Sequence, residues 1–144
     1  MSYAAPANLK ARIPARDLRL LTDRDGVADT IDDTVLQGAL DDATATINGW
    51  IAKRVALPLD PVPQTLETIC CDLALERLYL NAGAPMPEAV TTLSENAMKF
   101  LKAVSEGKAS LGDETGGEEV QSSPGVVLSE GEDPVFSRET LKGF

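Results

Sequence analysis

The chain contains no histidine. The commonest general base, a leading metal ligand and the side chain that changes charge near neutral pH are therefore all missing. A serine–histidine–acid triad cannot form. Only two cysteines occur, side by side at Cys70 and Cys71. Neighbours on a helix project about 100° apart, a poor arrangement for bridging each other, and no CxxC spacing suggests a metal site. They read as small apolar core residues of a reducing compartment. Aromatic residues make up 4% of the chain against 43% hydrophobic residues overall. A core built from Leu, Ala, Val and Ile suits packed helices better than a β-sandwich. No apolar run approaches the roughly 20 residues of a membrane span. The opening MSYAAPANLK lacks the charged start and apolar stretch of a secretory signal, so a chain that stays in the cytoplasm where it is made is expected. No glycine-rich phosphate loop with its lysine is present. Together these absences argue against an enzyme.

Basic charge is scarce too. The formal net charge is −10, and it is unevenly spread. Residues 1–111 carry 15 acids and 11 bases, whereas residues 112–144 carry 8 and 2. Such a chain cannot neutralise phosphates over a broad face, so sequence-specific nucleic-acid binding is not expected. At 144 residues there is room for one domain with a real core and one appendage.

What is present is helical periodicity. Pro6 to about Leu21 reads as two short helices broken near Pro14, because proline opens a helix well and interrupts one badly; Leu9, Ile13, Leu18 and Leu21 form the apolar set. From Val35 to Val55 apolar residues recur at three- and four-residue steps (Val35, Leu36, Ala39, Leu40, Ala43, Ile47, Trp50, Ile51, Val55), an amphipathic helix of about 22 residues. Gln37, Asp41, Asp42, Thr44, Asn48 and Lys53 fall on its other side, and Gly38 and Gly49 are weak points or close-packing sites. LPLDPVP stops this helix and Pro63 opens the next, whose wide stripe of Leu66, Ile69, Cys70, Leu73, Ala74, Leu78 and Leu80 fits a central helix covered on two sides. NAGAP ends it. Pro87 starts a fourth stretch with Val90, Leu93, Ala97, Phe100, Leu101 and Val104 inward and Gly107 as a left-handed C-terminal cap. The expected fold is a small, mainly α bundle of four to five helices over residues 1–111. Residues 112–144 begin with an acidic, glycine- and serine-rich linker. They end in an extended arm anchored by Val126, Val127, Leu128, Val135, Phe136, Leu141 and Phe144. No internal repeat is apparent.

Leu21 to Ala43 packs seven aspartates against one arginine. With Gly26 as the sixth residue of an EF-hand loop, Asp23, Asp25, Asp29 and Asp32 occupy four ligand positions. The first position is then Leu21, which has no side-chain oxygen, and the last is a short aspartate in place of the bidentate glutamate. A capped loop explains the same residues: Asp32 or Asp33 accepts bonds from the free amides of the Val35 helix and favours its positive end, while Asp23, Asp25 and Gly26 are turn formers. Asp41 and Asp42 read as solvated neighbours. Arg77 reads as an ion-pair partner for Asp72 or the residues around Glu76, and Lys53 and Arg54 as charges suited to the end of their own helix.

Four stretches resemble one family: MSYA at the start, LTDRDG with IDD and the pattern running to WIAKR and LPL, CCDLA with the later LY, and the closing VFSRETLKGF. Over nearly the whole chain these are similar to the small neck proteins of Mu-like bacteriophages, formerly a domain of unknown function and grouped with head–tail connectors. Members tend to carry a longer acidic loop with a second glycine, where this chain has VADT. The resemblance implies a mainly α adaptor that forms a homo-oligomeric ring under the portal protein, resides in the virion neck and lets DNA pass through its lumen. Its partners would be the portal and the neck or tail-completion proteins, with no cofactor, catalytic residue or membrane. It also implies an arm, here Val135, Phe136, Arg138, Leu141 and Phe144, that contacts a neighbouring subunit or partner. The competing readings are a calcium-responsive binding module using Asp23, Asp25, Asp29 and Asp32, and another phage assembly or packaging accessory protein. Whether the free protein is a monomer is left open.

Overall fold

The computed structural model describes residues 1–23 and 30–112. Among them lie five α-helices and no strand: α1 (Pro6–Arg12), α2 (Ala15–Thr22), α3 (Asp33–Ile51), α4 (Gln64–Ala82) and α5 (Glu88–Ser105). The first apolar stretch is indeed two helices, with Pro6 at the start of α1 and Pro14 immediately before α2. Pro63 and Pro87 stand in the same relation to α4 and α5. In each case the ring fixes φ near the helical value, and the amide that proline lacks is one no helical carbonyl would accept.

The long helices stop by two devices. α4 and α5 both end in a left-handed glycine, Gly83 at φ 63° and Gly107 at φ 77°. The Ala84 amide reaches back to the Tyr79 carbonyl at 3.3 Å, and the Lys108 amide to that of Ala103 at 2.8 Å, which satisfies carbonyls the helix leaves open. α3 is shorter than its apolar pattern. Regular helix ends at Ile51, after which the Arg54 and Val55 amides both close onto the Ile51 carbonyl at 2.8 and 3.0 Å before the proline-rich loop.

α4 is the central helix. It packs most extensively on α3, then on α5, and also meets α1 and α2. Leu9, Leu18, Leu36, Leu40, Ile47, Ile51, Leu66, Cys70, Leu78 and Leu101 are fully buried, each worth about 1.5–3 kcal/mol where a large aliphatic side chain leaves water. The aromatic residues Tyr3, Trp50, Tyr79 and Phe100 are only partly buried against this core. Leu111 is also buried, so the packed body extends past α5.

Two expectations need correcting. Leu80 is 60% exposed and Leu93 44% exposed. Two residues along a helix turn through about 200°, so with Leu78 inward Leu80 faces away. On α5 the buried set is Val90, Ser94, Ala97, Leu101 and Val104, a four–three repeat that puts serine in the seam and leaves Leu93 beside it. Of the two readings of Gly38 and Gly49 the structure favours weak points over close packing, since a Cβ on either meets nothing within 4 Å. Arg54 does more than place a charge at the end of its own helix. Its Nε donates to the Ser105 carbonyl at 3.1 Å, and its guanidinium lies against Gly107, where an added Cβ would come within 2.9 Å of Nη2. It therefore closes the C-terminus of α5.

Glycine at 38 and at 107 should consequently respond with opposite sign. Gly38→Ala is expected to raise unfolding stability by about 0.5–1 kcal/mol through helix propensity and chain entropy. Gly107→Ala is expected to lower it, by strain at positive φ and by displacing Arg54. Denaturant titration of both variants checks this, and a destabilised Gly38→Ala would mean that the α3 surface is covered.

Candidate functional site

Of the four aspartates in the calcium reading, Asp23 and Asp32 are described, and Asp25 and Asp29 lie outside the described residues. Asp23 follows the last turn of α2. Asp32 is the N-cap of α3: its carboxylate accepts the Thr34 amide at 2.9 Å, and its own amide donates to the Thr22 hydroxyl at 3.2 Å. Asp33 pairs with Lys10 of α1 at 2.6 Å. The capped-loop reading thus accounts for Asp32, and no group of three potential metal ligands occurs among the described residues. The arm residues Val135, Phe136, Arg138, Leu141 and Phe144 also lie outside them.

The polar side of α3 holds a feature the periodicity did not foretell. Gln37, Asp41, Thr44 and Asn48 follow one another at helical spacing, and the N-terminus lies along them. Gln37 Nε2 donates to the Ser2 hydroxyl at 2.7 Å and to Asp41 at 2.9 Å. Ser2 itself donates to the Asp41 carboxylate. The Tyr3 amide donates to Thr44 Oγ1 at 3.1 Å, and the Tyr3 hydroxyl donates to Asn48. Ala4 is buried beneath this clasp. The clue in the sequence was the apolar and small run of MSYAAP, which a solvated terminus has no need to carry. Hydrogen bonds from Ser2 and then Gln37 hold the Asp41 carboxyl below the usual carboxylate range. Burial pushes the Tyr3 phenol up.

The thiols lie on the far side of the same seam. Cys70 contacts the Thr44 hydroxyl at 3.6 Å and the Leu40 carbonyl at 3.7 Å, and Cys71 is also buried. Burial pushes Cys71 up to about 11 and raises Cys70 as well. Burial thus holds both thiols toward their protonated form, the less nucleophilic one. Arg77 reaches across to Asp42 on α3 at 3.9 Å, not to Asp72.

A concavity of about 470 Å³ lies where the second half of α4 meets the middle of α5 beside α3. Leu73, Leu80 and Met98 supply apolar surface, while Glu76 and Glu95 with Arg77 and Lys99 supply charge of both signs. Ser94 donates to the Glu76 carboxylate at this wall. That bond satisfies a buried serine and brings no base with a third group to orient it, as an activated nucleophile needs. The concavity has the character of a docking groove: apolar floor, charged rim, open to solvent. No helix among the described residues is long and apolar enough to cross a membrane.

The clasp generates a titration test. A folded carboxyl pKa below the unfolded value contributes stability above the unfolded pKa, which is lost as pH falls through the folded pKa. The N-terminus is therefore expected to loosen on acidification below about pH 4. Ser2→Ala should move the Asp41 pKa back up in a carboxyl-carbon NMR titration. An unmoved value would mean that Ser2 does not hold the carboxylate.

Comparison with known proteins fits this architecture to a phage lineage. The family model described as Bacteriophage Mu, Gp36 matches residues 3–130, Tyr3 of the clasp and all five helices included. Gene product J of Escherichia phage Mu is 35% identical over 144 residues, which is 100% of this chain and 99% of that protein, closing VFSRETLKGF included. The Mu-like prophage FluMu protein gp36 of Haemophilus influenzae is 36% identical over 117 residues, 81% of this chain and 80% of that one. This helical protein belongs to the bacteriophage Mu gp36 family.

Proposed function

We propose that the protein is a head–tail connector of a Mu-like phage or prophage. In this reading it is a non-catalytic adaptor that assembles as a ring beneath the portal, joins head to tail and uses Val135, Phe136, Arg138, Leu141 and Phe144 to contact neighbouring subunits or neck partners. The observation that carries the reading is the full-length similarity to a phage Mu gene product, joined to the neck-protein resemblance of its motifs.

Physical features support it. The described body is a close-packed helical unit whose polar groups are engaged in holding the fold, as suits a structural part. Its closing segment carries spaced apolar anchors, whose burial on a partner offsets the entropy of ordering. A net charge of −10 disfavours sticking to DNA phosphates and keeps free copies apart by mutual repulsion. The exposed acids of α3, Asp41 and Asp42 among them, are candidates for a lumen wall along which a genome slides.

The test is the mass of the purified protein, alone and mixed with portal rings, by light scattering on a sizing column with negative-stain images of each peak. A collar added to the portal in fixed stoichiometry is expected, and a protein that ignores the portal sinks the reading. Truncation after Gly112 is expected to keep the helical spectrum and melting temperature, because Leu111 and every described helix remain, while collar formation is lost. Unfolding of the truncated chain would instead make the arm part of the body.

A further inference from the structure

The α3–α4–α5 groove and the closing segment of the chain share a chemistry. The groove sets Leu73, Leu80 and Met98 among two acids, Glu76 and Glu95, and two bases, Arg77 and Lys99. Leu80, more than half exposed, is one of few large apolar side chains the fold leaves uncovered. The described chain ends at Gly112, just beyond α5, and 32 residues follow. Of these, residues 113–132 are acid-rich and carry no base, whereas residues 134–144 hold both bases of the segment, Arg138 and Lys142, among Val135, Phe136, Leu141 and Phe144. Two of the three phenylalanines of the protein are in that stretch.

We infer that residues 134–144 dock in the α3–α4–α5 groove of their own chain, with their apolar side chains on Leu73, Leu80 and Met98 and the mixed charges of Arg138, Glu139 and Lys142 set against a rim of Glu76, Glu95, Arg77 and Lys99. Reach permits it. Ser94 and Ser105 are separated by about 17 Å along α5, and 22 residues of Gly/Ser-rich linker chain would span about 26 Å root-mean-square. Charge pattern selects the segment: the groove rim carries both signs, Glu76 and Glu95 with Arg77 and Lys99, which suits a segment that also carries both, Arg138, Glu139 and Lys142, better than the all-acidic stretch 113–132. Covalent linkage then favours the chain's own segment over a second copy, because a short flexible tether sets an effective concentration near the millimolar range. Under the connector reading, on which this purpose of the docking rests, the arm is parked on its own body until a portal or neighbour displaces it.

Trypsin digestion of the full-length protein tests this without any portal, so its failure and that of the connector reading are distinguishable. Cleavage after Arg138 and Lys142 is followed by mass spectrometry in wild type, in Leu80→Glu and in the Phe136→Ser, Phe144→Ser double variant. Leu80 is exposed and the phenylalanines lie beyond the described body, so none of these changes removes a core contact. Circular dichroism confirms that each folds. Wild type is expected to be cut on the order of tenfold more slowly than either variant, at a rate independent of protein concentration. Equal rates in all three would overturn the docking. Protection that grows with concentration, together with a dimer mass, would assign the groove to the arm of a second copy and overturn the intramolecular assignment.

Discussion

The contact on which the rest of the body depends is the seam between α3 and α4. Ala39, Ala43 and Thr44 on one helix and Cys70 and Ala74 on the other are all buried. The Cys70 thiol reaches both the Thr44 hydroxyl and the Leu40 carbonyl. A side chain of one helix can touch the backbone of the next only where the residues between are small, and larger ones there would cost about 1–3 kcal/mol by overpacking. With that distance set, α4 presents its remaining faces to α5, α1 and α2, and Leu36, Leu40, Ile47, Leu66 and Leu78 close around it without an aromatic at the centre. The apparent reactivity of a Cys–Cys pair is lowered for the same reason: the seam that needs small residues also holds the thiols toward their protonated form.

The polar parts of the molecule are mostly employed in holding its edges. Asp32 starts α3, Arg54 closes α5 from the loop after α3, and Asn8 of α1 bridges the Ala5 amide and the Glu67 carboxylate of α4. The N-terminus is tied along α3 by a run of neutral and charged hydrogen bonds. Charge-assisted bonds to an exposed carboxylate are individually modest, but here they fix a terminus that would otherwise fray. A body stitched in this way has few polar groups left converging on one point. Among the described residues, the groove beside Leu80 stands out as surface the fold itself does not use.

Much of the architecture was legible in the chain. The proline-marked helix starts, the glycine ends at Gly83 and Gly107, the break at Pro14 and the inward set from Leu36 to Ile51 all follow from local rules. Periodicity misled where two positions compete for one seam. Leu93 lost its place to Ser94 because Glu76 across the groove offers that serine a partner, and Leu80 was carried outward by the turn of the helix past Leu78. Likewise Gln37, Asp41, Thr44 and Asn48 carry the pattern of a solvated face, which a segment more than thirty residues upstream occupies.

What the sequence determined alone, then, is where helices begin and end and, for the most part, which stripe of each is apolar. These depend on backbone dihedrals, capping and side-chain spacing within a few residues. Only the tertiary structure decided that Arg54 closes α5, that Arg77 turns to Asp42, that Ser2 and Tyr3 clasp α3, and that a groove remains between α4 and α5. Each depends on which distant helix lies opposite, and that is set by how closely α3 and α4 pack, which no local pattern encodes.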